Sequence, residues 1–228
     1  MLKSILKYLF VFFLFFSCAT IKKETKTENI SLPSRRLGKI TAAIVKRNSK
    51  ELLPREYSFV LITQNGKLRI HHKLLGDNIW IFFEEKDRKT LISAIEDYLG
   101  NYKKGFYSDK KQKAYFGKVP SQMVWGLLNA AHTAEPTMRF EYAYLKNGKP
   151  YFIIANATVK SIKDGSNCPA VKIAFSPNQC KKVLQLIGED NVSSIMQNIK
   201  KDFEEYDEID DFDERDEDVE LKNTEEFD

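Results

Sequence analysis

The stretch "YSFVLITQNGKLRIHHKL", residues 57–74, sets the reading of the fold. Asn65-Gly66 lies between two runs rich in β-branched and aromatic residues that partly alternate in polarity. Asn-Gly supplies the positive φ of a type I′ turn at the least cost, so a hairpin is expected here. Downstream, "NIWIFF" (78–83) reads as a third strand and leads straight into Lys89, Leu91, Ile92 and Ile95. Their spacing is that of one helix face. The helix is expected over about 84–102, acidic in its first turn, with Lys103 and Lys104 at its end and Gly105 as its cap.

The same order recurs further along the chain. "RFEYAYLKNGKPYFIIANATV" (139–159) carries a second Asn-Gly-Lys triplet, Asn147-Gly148-Lys149, displaced by 82 positions from the first. "VKIAF" (171–175) matches "IWIFF" (79–83), and Lys181, Val183, Leu184 and Ile187 repeat the helical spacing. Upstream, Leu37-Gly38-Lys39 corresponds to Phe116-Gly117-Lys118, three residues out of step. The second helix has a complete start signal: Ser176 as N-cap, Pro177 in the first helical position, and Gln179 closing a capping box. The fold class expected is α+β, a duplicated unit of antiparallel β-hairpin plus strand followed by a helix, with the helices packed on the sheet. Residues 39–47 are expected as a strand; 121–134 could form a helix, or a strand if they mirror 39–47, and the helix is the favoured reading. In outline this strands-then-helix doubling resembles the Whirly and PUR-type single-stranded nucleic-acid binders. The resemblance is one of topology, no family signature motif accompanies it, and residues 37–201 are read as matching no known family.

Residues 1–17 read as a signal peptide. Lys3 and Lys7 form a short positive region, Tyr8 to Phe16 an apolar one, and Ser17 is a small residue at the boundary. A membrane-spanning helix needs about 20 apolar residues, more than this stretch offers. Leu14-Phe15-Phe16-Ser17-Cys18 resembles the lipobox of bacterial lipoproteins, with Phe15 and Phe16 departing from its commonest residues. The resemblance implies cleavage before Cys18, diacylation of its thiol and a membrane partner through the lipid. A plain signal peptide cut near Ser17 or Ala19, or an uncleaved anchor, are the alternatives. Residues 18–36, rich in Lys, Thr, Ser and Glu, have the composition of a disordered tether.

A formal net charge of +4 conceals an asymmetry. Residues 202–228 hold 16 acidic and two basic side chains, a net of −14, whereas 18–201 is near +16. The division expected is therefore tether, one duplicated domain over 37–201 (copies at about 37–105 and 115–201), and an acidic, largely disordered tail over 202–228. Ile195, Ile199, Phe203 and Tyr206 mark a helix over about 191–206 that fades into the tail. About 165 residues suffice for one compact domain.

No catalytic motif emerges. His71 and His72 are adjacent strand positions and face opposite sides. His132 and Glu135 would share a helix face, yet two ligands do not make a metal site. No nucleophile elbow or phosphate-binding glycine loop is present. Neither cofactor nor metal is expected. An exported chain could bridge Cys168 and Cys180, but the strand between them spans roughly 20 Å, so Cys180 is better read as a small core hydrophobe.

What remains is a basic surface: Lys67, Arg69, Lys73, Lys103, Lys104, Lys110, Lys111, Lys113, Lys146 and Lys149, interleaved with Tyr102, Phe106, Tyr107, Tyr115 and Tyr151. These residues suit a polyanion. The expectation is a lipid-anchored, non-enzymatic envelope module facing the periplasm or the exterior, with a polyanionic envelope component or a protein as partner. A Whirly-like single-stranded nucleic-acid binder is the alternative, disfavoured for an exported chain. An enzyme acting on envelope polymers is the third.

Overall fold

Alternation of apolar and polar residues places one face of each strand inward. Tyr57, Phe59 and Leu61, then Leu68, Ile70 and His72, then Ile79, Ile81 and Phe83 are all buried, while the residues between them point the other way. The computed structural model describes residues 34–46, 51–108, 114–126 and 131–213, and side-chain surroundings as far as Asp202.

In chain order the elements are β1 (Arg35–Val45), β2 (Leu52–Ile62), β3 (Lys67–Leu74), β4 (Asp77–Phe83) and α1 (Glu85–Lys103). They continue with β5 (Ala114–Pro120), β6 (Gln122–Gly126), β7 (His132–Ala134), β8 (Thr137–Tyr144), β9 (Pro150–Ala155), β10 (Lys172–Phe175), α2 (Pro177–Ile187) and α3 (Glu189–Asp213). The strands form one antiparallel sheet in the order β5-β8-β9-β10-β1-β2-β3-β4-β6-β7. β1–β4 make one meander that ends in α1, and β5, β8, β9 and β10 make another that ends in α2. The two join where β10 pairs with β1, Ala43 opposite Ala174. The fold is mixed α+β, with α1 and α2 packed over the main core.

That core unites both meanders with both helices. Leu91, Ala94, Ile95 and Tyr98 of α1 and Cys180, Val183 and Ile187 of α2 meet Tyr57, Phe83, Phe140, Phe152 and Phe175 of the sheet. Gly38 allows α2 to come close, since a Cβ there would meet Leu186 Cδ2 at 2.7 Å. Arg88 is the largest fully buried side chain, and it donates from Nη1 to the Ile187 carbonyl oxygen.

Helix signals read from the sequence hold well. Gln179 N donates to Ser176 Oγ, and Gln179 Oε1 accepts from Ser176 N, the expected capping box. Gly105 follows the α1 C-cap with φ of +71°. α3 runs beyond the expected 191–206 in both directions.

Three expectations need correction. Within the helix expected over 121–134, residues 122–126 and 132–134 are strands. Met123 and Trp125 are buried and Val124 half-buried, a two-residue period, and β6 satisfies its backbone by pairing with β4 and then β7. His132 and Glu135 therefore share no helix face. The Asn-Gly turns are not type I′ either, because Gly66 and Gly148 have positive φ while Asn65 and Asn147 do not. Each loop instead turns before a left-handed glycine, and each Asn Oδ1 accepts from the amide two residues on, at 3.2 Å, which keeps the side chain occupied. The two-residue turn with positive φ at both positions is Leu75-Gly76, between β3 and β4. Leu75 has φ of +52° and is 94% exposed.

Cys168 and Cys180 are free and buried. Burial pushes the Cys168 thiol up to about 11 and the Cys180 thiol higher still. Among the described residues no cluster of three or more His, Cys, Asp or Glu could hold a metal.

Candidate polyanion-binding surfaces

The β3 register separates the two adjacent histidines. His72 lies directly across from Tyr57 in the core, with ring centroids 4.9 Å apart, while His71 points to the face opposite the helices. Neither ring nitrogen of His72 has a hydrogen-bond partner, nor does Tyr57 Oη. Burial, helped by His71 and Arg55, lowers the His72 pKa to about 4.

On the opposite face, alternation brings Lys67, Arg69, His71 and Lys73 into line along β3. Cross-strand pairing then builds two rows. One runs Arg36, Val60, Arg69, Phe82 and Gln122; the other runs Lys39, Ser58, His71, Trp80 and Val124. His71 stacks on Trp80 with centroids 5.5 Å apart, and its Nε2 pairs with Asn78 Oδ1 at 3.1 Å. Arg36, Lys39 and Lys73 are exposed, whereas Arg69, His71, Trp80 and Phe82 are half-buried. A hollow of about 360 Å³ lies among Arg36, Lys39, Arg55, His71 and Lys73, with Glu56 as its one acid among the described residues. Glu56 is already engaged by Lys39 at 2.7 Å. The second meander carries a shorter cationic row, Lys118, Arg139, Ala155 and Lys172.

The residues singled out by sequence thus divide. Lys67, Arg69 and Lys73 share the open sheet face, although Lys67 is paired with Glu84 at 2.8 Å. Lys103 and Lys149 meet far away, in a groove where α1 ends and α2 begins. Lys104 and Lys146 are exposed nearby in sequence but do not line that groove. Lys110, Lys111 and Lys113 lie outside the described residues, as do residues 1–33, Cys18 among them, and 214–228. Of the aromatic residues, Tyr102, Phe106 and Tyr115 are exposed, but Tyr107 is core, stacked on Tyr98 at 5.5 Å. Arg36, Lys39 and Lys181 were absent from the basic surface read from the sequence. Alternation within β1 marks Lys39 as outward, yet only pairing shows what stands beside it.

Residues 34–194 match a family described as an uncharacterised Treponema protein. The chain belongs to that family. This corrects the expectation that residues 37–201 correspond to no known family; the topological likeness to nucleic-acid binders had no motif behind it, whereas the family match runs along the whole sheet and both packed helices. A protein of Treponema pallidum (strain Nichols), described as uncharacterized, is 40% identical over 177 residues, covering 77% of this chain and 64% of its own length. The chain therefore spans somewhat less than two thirds of that relative. Its origin is bacterial and Treponema-related. No solved structure matches it.

Proposed function

We propose that the protein is a lipid-anchored component of the bacterial cell envelope, tethered through Cys18, that works as a non-enzymatic interaction module and binds a polyanionic envelope component on the open face of its sheet. The observation that carries this reading is the gathering of Arg36, Lys39, Arg69, His71 and Lys73 on one face; all but Arg69 line a common hollow in which Glu56 is the one acid among the described residues. Cations so placed raise the local concentration of a polyanion and hold it by charge. The anchor is supported by the sequence before Cys18, and two or more acyl chains would hold it firmly at about 0.8 kcal/mol per buried CH2.

The face is tested by retention on immobilised heparin, a generic polyanion. Wild-type protein should elute at higher salt than the Arg36→Ala/Arg69→Ala/Lys73→Ala variant. Equal elution would sink the assignment. The anchor is tested separately by the intact mass of protein from native membranes beside Cys18→Ala.

A second reading is supported by Trp80 and Phe82 standing among those cations, an arrangement that suits the stacked bases of a single strand. Its mark is affinity for single-stranded DNA that falls steeply with salt. The two meanders, we further infer, are copies of one unit. In support, register shifts occur at Gly38 in β1 and at Gly117 in β5, and Asn65 and Asn147 brace their loops alike.

A further inference from the structure

The last turn of α1, the β8–β9 loop and the first turn of α2 surround a groove of about 800 Å³. Its size falls in the range of roughly 300–1,000 Å³ that holds a small ligand. Lys103, Lys149 and Lys181 stand around it, all exposed, and none has an acidic partner among the described residues. Among the described residues no acidic side chain lines the groove. Three ammonium groups facing one hollow repel each other, and an anion between them relieves that repulsion. The amide dipoles of α2, which opens here at Pro177, add the same sign.

Two phenol rings supply flat walls, and both are held in place. Tyr102 is 46% exposed and backed by Tyr98 at 6.3 Å. Tyr151 Oη accepts from Asn147 Nδ2 at 2.7 Å. Tyr98 Oη in turn donates to the Pro150 carbonyl at 3.1 Å, bolting α1 to β9 so that the walls keep their spacing. Rings fixed before binding lose little entropy on contact and offer an apolar face with a polar edge. Asn178, exposed at the rim, can both donate to and accept from hydroxyl groups.

We infer that this groove binds an anionic sugar: a pyranose ring lying on Tyr102 or Tyr151, its carboxylate or phosphate among Lys103, Lys149 and Lys181. The site is separate from the sheet face and does not depend on it.

Calorimetry on the mature protein with tetragalacturonate, glucose 1-phosphate and maltotetraose tests the assignment. One anionic sugar should bind saturably, carboxylate or phosphate according to the natural source, with maltotetraose at least about tenfold weaker. Lys149→Gln/Lys181→Gln should weaken that binding about tenfold and Tyr102→Ala about fivefold, with thermal midpoints unchanged. The site falls if neither anionic sugar binds, if the neutral one binds equally, or if the lysine variant binds like wild type. Loss in Arg36→Ala/Arg69→Ala instead would move the binding to the sheet and overturn the groove alone.

Discussion

Arg88 Nη1 donates to the Ile187 carbonyl oxygen at 2.7 Å and lies 3.0 Å from Glu189 Oε1. The arginine is 1% exposed, so a charge from the first helix is sealed against the end of the second. It satisfies a carbonyl that α2 leaves free at its C-terminus. Replacing Arg88 by Met strands that carbonyl and should destabilise the fold by about 2–4 kcal/mol, read from the urea midpoint. Glu189 is half-exposed, so Glu189→Gln should cost under about 1 kcal/mol.

His72 makes stability depend on pH. Its folded pKa of about 4 lies below the ordinary value of 6.5, so the unfolded chain binds the extra proton between these limits. The stabilisation is complete above pH 6.5 and is lost as pH falls towards 4, by about 3 kcal/mol in all. Urea titrations at pH 7, 5.5 and 4 should show the decline in the wild type. In His72→Phe, which keeps an aromatic ring against Tyr57 and removes two unpartnered nitrogens, that share of the slope should vanish.

Leu75 occupies a left-handed conformation with its side chain in water, so it is strained without burying anything in return. Leu75→Asn converts the turn to the preferred Asn-Gly and should stabilise the protein by about 1 kcal/mol. A midpoint lower than wild type would mean that Leu75 makes a contact absent from the isolated chain.

Both described cysteines are buried, and their thiols titrate well above the ordinary range. Cys168 and Cys180 should therefore resist a thiol-reactive dye at pH 8 in Cys18→Ala protein and label fully in guanidinium. Labelling of neither in guanidinium without reductant would instead reveal a bridge.

Segments whose structure depends on near neighbours were legible. The β2–β3 and β8–β9 hairpins, the capping box at Ser176 and the glycine after α1 each follow from residues within a few positions of one another. Even there, register mattered: Asn65 and Asn147 serve their turns through side-chain oxygens rather than positive φ. The helix expected over 121–134 failed because its apolar residues satisfy two periods at once, and only the waiting edge of β4 chooses the strand.

The sequence by itself determined the β2–β3 and β8–β9 hairpins, the strands β1, β4 and β10, the helices α1 and α2, and the separation of a basic body from an acidic end, since these rest on side-chain period, turn chemistry and charge. Only the tertiary structure decided that β10 and β1 join two meanders into one sheet, that Arg88 seals α1 to α2, and that Lys181 meets Lys103 and Lys149. Such partners lie far apart in the chain, 138 positions in the bond from Gln179 Nε2 to the Thr41 carbonyl. They become neighbours when burial of both meanders under the same two helices fixes the sheet, and no local preference encodes that choice.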